Sequence, residues 1–213
     1  MAFGEHSWVE LLPSYLTSEN KGRLQQGIEQ FYPENRNEIS YDNFYRDFGH
    51  KYFLQGDIVL DVRMANWNAG TASYEKTYIE GLILSNTCDI SLENKRDVNP
   101  KQCLFAPLIS LEEFLADLSS NGLSDDKLET FRKNVKSQLY SNIFYMPSAR
   151  DGENERIALL DKVFWFPIEE MEGLIETIDE ERIASLDHYG FYLLNFKLSY
   201  HFCRLPEQCD RVA

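Results

Sequence analysis

A chain of 213 residues with 43% apolar and 14% aromatic side chains can bury roughly 70% of its unfolded surface, so no disulfide or metal staple is required. Its 21 Lys and Arg stand against 35 Asp and Glu. The resulting net charge of −14 repels phosphate backbones and anionic lipid heads, which excludes a general nucleic-acid coat protein. Composition also excludes collagenous, repetitive and disordered classes.

Ser18 can cap a helix in which Leu24, Ile28 and Phe31 recur at helical spacing before Pro33 stops it. Residues 1–48 thus form an N-terminal helical arm, whose last part, with Tyr41, Phe44, Tyr45 and Phe48, reads as a short helix or a covering loop. Strand character runs from Gln55 to Val62 and again from Thr77 to Ser85, with Asn66 to Thr71 as a long turn between them. A third apolar run, Gln102 to Ile109, ends in Ser110-Leu111-Glu112-Glu113, a capping-box pattern. Amphipathic helices follow at about 111–118 and 124–139. Strands are expected at 142–146 and across 156–166, as a hairpin closing the same sheet, and helices at 168–178 and 186–204.

The last of these helices is apolar on two sides, with six aromatics in the fourteen residues from Tyr189 to Phe202. Only a line through Lys197, His201 and Arg204 is polar. Such a helix is either buried in the domain or covered by a second copy; burial is the expectation, with acidic groups such as Asp179, Glu180 and Glu181 meeting the basic line. The fold class is accordingly α+β: a bent antiparallel sheet or SH3-like barrel over 49–168 with inserted helices, flanked by the arm and by C-terminal helices over 169–213, all in one domain.

Four cysteines, Cys88, Cys103, Cys203 and Cys209, form no CxxC pair. Reduced thiols are expected, with no metal and no cofactor, since neither GxGxxG nor GxxxxGK occurs either. The amino terminus lacks a signal-like region, and no apolar run reaches the ~18 residues of a membrane span. The expectation is a cytoplasmic, soluble protein with no membrane contact and a protein partner or a second copy as its associate.

Three pieces in order, Gln55-Gly56-Asp57-Ile58-Val59, Gly81-Leu82-Ile83-Leu84-Ser85-Asn86 and Leu104-Phe105-Ala106-Pro107-Leu108-Ile109-Ser110, resemble the core of the PemK/MazF family. The resemblance covers about residues 54–110 and implies a small SH3-like barrel. It also implies metal-independent endoribonuclease chemistry, in which an arginine near the start of the second strand works with a hydroxyl or acidic group at the end of the third. Ser110 matches the hydroxyl position, but the stretch Glu75 to Gly81 before Leu82 holds no arginine, and Lys76 is the only cation close by. A lysine lacks the planar fork that grips a phosphodiester at two oxygens. Ser110 also reads as the N-cap of the following helix.

The segment Asn86-Thr87-Cys88-Asp89-Ile90 offers a second chemistry. Cys88 with Asp89, and His188 or His201 brought in from the last helix, would make a thiolate and base pair. Its plain reading is a small hydrophobe plugging a strand end in a turn. The expected function is therefore a non-catalytic or degenerate PemK-like barrel that binds protein in a prokaryotic toxin, plasmid or phage-defence setting. The alternatives are an endoribonuclease using Ser110 with Lys76, Arg63 or Arg96, a cysteine-dependent hydrolase using Cys88, and an acidic inhibitor or nucleic-acid mimic.

Overall fold

Gly56 sits at φ +90°, a left-handed turn that glycine adopts without strain. A Cβ there would meet Leu186 Cδ1 at 2.9 Å, so both backbone and space require glycine. The turn launches the central sheet of a computed structural model that describes residues 18, 19, 21, 22, 41–91, 102–150 and 153–203. Of the expected N-terminal helix, Ser18, Glu19, Lys21 and Gly22 are described and helical; the rest lies outside the described residues.

Strand β1 (Asp57–Asn68) pairs antiparallel with β2 (Ser73–Ile83) from Ile58↔Leu82 out to Asn68↔Ser73. The expected long turn at Asn66 to Thr71 is thus corrected: Asn66, Trp67 and Asn68 are strand, and only residues 69–72 turn. Cross-strand pairs hold the extension, with Asn66 Nδ2 donating to Thr77 Oγ1 at 2.8 Å, Asn68 Nδ2 to Glu75 Oε1 at 2.6 Å, and Trp67 edge-on to Tyr74. A bulge between Val59 and Val62, with Asp61 at φ +52°, bends the ribbon.

After a four-residue helix α1 (Thr87–Ile90), β3 (Gln102–Ser110) pairs with β2 on one side. Ser110 then caps α2 (Leu111–Ser120), which turns back through α3 (Asp125–Lys136). Strands β4 (Ile143–Met146) and β5 (Arg156–Leu159) form the expected hairpin, and β5 joins the C-terminal half of β3. The single strand expected over 156–166 is instead two. A turn closed by Lys162 N to Leu159 O at 3.2 Å redirects the chain, so that β6 (Phe164–Pro167) pairs with the N-terminal half of β3.

Two elements went unforeseen after α4 (Ile168–Glu176): the short α5 (Ile178–Glu181) and β7 (Arg182–Ser185), which pairs with β1. The order β4-β5-β3-β2-β1-β7, with β6 on β3, leaves an open sheet rather than a closed barrel. Helix α6 (His188–Cys203) ends the described chain. The fold is α+β, as the sequence indicated.

Alternation along the strands sorts the core by face. Ile58, Leu82, Ala106, Leu108, Phe144 and Ala158 point to one face, where Tyr189, Leu193 and Leu194 of α6 and Phe44 cover them. Val59, Ile83, Cys103, Phe105 and Phe166 point to the other and pack with Ile90, Met171 and Ile178. Further along that second face, α2 and α3 cover Ile143, Tyr145, Ile157 and Leu159 through Leu111, Leu115 and Val135. The segment at 41–46 is the covering loop of the two expected readings, with a single bridge from Tyr45 to Leu186. Lys197 lies fully inside, against expectation, because α6 turns that side toward the end of α3 and donates Nζ to Gln138 O at 2.5 Å.

Candidate functional site

Past its bulge, the β1–β2 ribbon curls toward β6 without hydrogen-bonding to it. A cleft of about 490 Å³ remains between them, lined by Arg63 and Ala65 of β1, Tyr74 and Lys76 of β2, and Phe164 and Trp165 of β6. It occupies the place where a barrel would have closed. Arg63 is tied to Glu170 of α4. Four large aromatics stay in water around it: Trp67 is 58% exposed, Tyr74 72%, Tyr78 65% and Trp165 57%. Rings of that size bury 150–250 Å² each when covered (~600–1,000 Å² together), and leaving them wet forgoes that stabilisation.

The residues that the sequence put forward for catalysis do not converge. Lys76 lines the cleft with Trp165, which pairs with Leu104, whereas Ser110 lies six positions further along β3, ~20 Å at strand rise. Ser110 Oγ accepts from Glu113 N at 3.5 Å as the cap of α2. Cys88 is exposed on α1, where Asn86 Oδ1 accepts from its backbone N–H at 2.9 Å and Asp89 completes the turn. Ile90 anchors that helix on the face away from α6. His188 and His201 belong to α6, so the cysteine and the histidines anchor on opposite faces of the sheet, contrary to a paired site. Arg96 and Arg204 lie outside the described residues.

One arginine escaped the sequence reading. Arg156 stands opposite Ser110 in the β3–β5 register, a pairing across 46 positions that no local pattern encodes. Its guanidinium is already held, with Nε donating to Glu80 Oε2 at 2.6 Å, Nη1 to Asn154 O at 3.2 Å, and Glu153 at 3.6 Å. Buried and saturated in this way, it braces β2 against β5.

Of the buried charges, Asp57 and Lys197 are the most enclosed. Burial pushes the Asp57 carboxyl up to about 6, against the lowering effect of the Leu54 N–H, Ser185 and Arg182. Burial pulls the Lys197 ammonium down to about 7. Burial likewise pushes the Cys103 thiol up to about 12, which keeps it inert as a core side chain. Among the described residues no cluster of three or more His, Cys, Asp and Glu side chains is arranged to hold a metal, and no helix is long and apolar enough to cross a membrane. The chain matches no family model and no curated protein sequence.

Proposed function

We propose that this protein is a non-catalytic binding component that holds a partner protein between the β1–β2 ribbon and β6. The observation that carries the reading is the exposed aromatic set Trp67, Tyr74, Tyr78 and Trp165 around an open cleft. Tyr and Trp are the side chains that dominate binding energy at protein interfaces, and Arg63 and Lys76 supply a polar rim. The resemblance to PemK/MazF proteins suggests a toxin, plasmid or phage-defence setting. The test is to identify a captured partner, purify it and titrate it against the protein. Trp67→Ala with Trp165→Ala should weaken binding at least about a hundredfold, ~2.7 kcal/mol. Unchanged affinity would exclude the cleft as the binding site.

One observation favours a second reading, metal-independent RNA cleavage: an arginine does face Ser110. Incubating purified protein with single-stranded RNA in chelator separates the two. The binding reading expects no cutting above background, since Arg156 is spent on Glu80 and the net charge of −14 opposes the substrate. Cutting that falls at least about tenfold in Ser110→Ala, ~1.4 kcal/mol of barrier, would establish the ribonuclease instead.

A further inference from the structure

The two terminal strands of the sheet are finished differently. The outer edge of β4 is occupied by a side chain: Gln138 Nε2 donates to Tyr145 O at 2.8 Å, and Tyr145 N donates to Gln138 Oε1 at 3.1 Å. Among the described residues, the outer edge of β7 is met by main chain only at its far end, by the Tyr45↔Leu186 bridge and by Arg46 N donating to Ser185 O at 2.9 Å. The chain then swings away through Gly49 at φ +61° and returns at His50 and Tyr52, whose carbonyls accept from Arg182 at 2.7 and 3.2 Å. A cleft of about 320 Å³ is left along Ile183 and Ala184, and Arg46, Arg150 and Arg182 line it.

Three guanidinium groups at one strand edge are unexpected in a chain with a net charge of −14. Two of them are loosely held, with Arg46 4.0 Å from Asp187 and Arg150 3.8 Å from Glu153, whereas Arg182 is taken by the His50 and Tyr52 carbonyls and stands 3.6 Å from Asp57. The side chain of Arg182 is 9% exposed and forms the floor, while those of Arg46 and Arg150, 62% and 72% exposed, form the rim. We propose that this cleft binds an extended acidic peptide, which adds a strand to β7 and places a carboxylate between Arg46 and Arg150. An unpaired edge supplies main-chain hydrogen bonds, and planar guanidinium forks match a carboxylate at two oxygens. The walls also carry Asp47 and Asp179, which disfavour a doubly charged phosphate more than a singly charged carboxylate. The site lies on β7, away from the ribbon cleft, and stands whether or not that cleft binds a partner.

The test uses a fluorescein-labelled hexapeptide of alternating valine and glutamate, its valine and glutamine counterpart, and inorganic phosphate as competitor. The acidic peptide should bind saturably and at least about tenfold more tightly than the glutamine peptide. Arg46→Ala with Arg150→Ala should lose at least about tenfold, and Arg150→Glu alone should weaken binding in the same direction. Hydrogen exchange should slow at residues 182–185 when the peptide is added. Equal binding of the two peptides, an unaffected Arg150→Glu protein, or unchanged exchange at β7 would each overturn the proposal. Displacement of the peptide by phosphate at equal concentration would show a simple oxyanion pocket, and would overturn it too.

Discussion

Two charged side chains sit where hydrophobic ones are usual, and each ties parts of the chain that are distant in sequence. Lys197 brings an ammonium through the apolar side of α6 to the carbonyl of Gln138, just past the C-terminal end of α3, where the helix dipole is negative. Asp57 accepts from Leu54 N at 2.9 Å and stands 3.6 Å from Arg182, joining β1 to β7. Because burial lowers the folded pKa of Lys197 to about 7, the unfolded chain binds the extra proton between that value and the ordinary lysine value of ~10.4. Stability should therefore rise with pH across that window, by at most about 1.4 kcal/mol per pH unit. Urea titrations of the protein and of Lys197→Met at pH 7 and pH 9 would show this as a slope present in the first and absent in the second. Equal slopes would mean that the ammonium is not desolvated. Asp57 acts in acid and with the opposite sense: its raised pKa makes stability fall as pH rises from ~3.9 to about 6.

At the scale of elements, what the sequence showed depended on whether the signal was local. The capping pattern at Ser110 and the helical stripe of α3 rest on neighbours a few positions apart, and both elements lie where expected. The ribbon was underread because Asn66-Trp67-Asn68 has turn chemistry, yet Thr77, Glu75 and Tyr74 across the strand hold it extended. Helix α5 and strand β7 were missed because four acidic-leaning residues and then four with only Ile183 and Ala184 apolar carry no period; β1 recruits them. The site followed the same rule. Lys76 was found as a cation near the second strand, but its place beside Trp165 depends on the bend at Asp61. Gln138 shows how much a single residue between elements can matter, since at φ +55° it ends α3, seals β4 and accepts Lys197. Gln138→Ala removes the edge bonds and leaves a left-handed alanine, for a loss of about 3 kcal/mol. Gln138→Gly removes the same bonds but tolerates the backbone, so it should cost about 1 kcal/mol less. Chemical denaturation of the two variants reads the difference, and an alanine no worse than the glycine would show that the strain is absent.

For the whole molecule, the sheet is a shared wall with separate coverings, and this determines how it should fail. One face is covered chiefly by α6 with Phe44, while the other divides between the α4 and α5 side and the α2 and α3 side. Among the described residues, no second wall of strands lies behind the open sheet. Removing α6 would bare Ile58, Leu82, Ala106, Leu108, Phe144, Met146 and Ala158 together, all of them buried by it or by Phe44. At about 25 cal/mol per Å², losing Tyr189, Leu193 and Leu194 alone forgoes roughly 2 kcal/mol each, comparable in sum to the net stability of an ordinary domain. A chain ending at Asp187 should therefore not behave as a smaller folded protein. It should bind a hydrophobic dye, lose near-ultraviolet circular dichroism and associate, because the bared face exceeds the few hundred Å² that soluble monomers expose. A separate full-length variant, Tyr200→Ser with Phe202→Ser, tests whether the exposed rings at the end of α6 matter independently. That variant should keep its melting temperature within a few degrees, since Tyr200 and Phe202 are 47% and 63% exposed. A truncated chain with sharp, dispersed spectra would show instead that α6 is an appendage and that the sheet is stable without it.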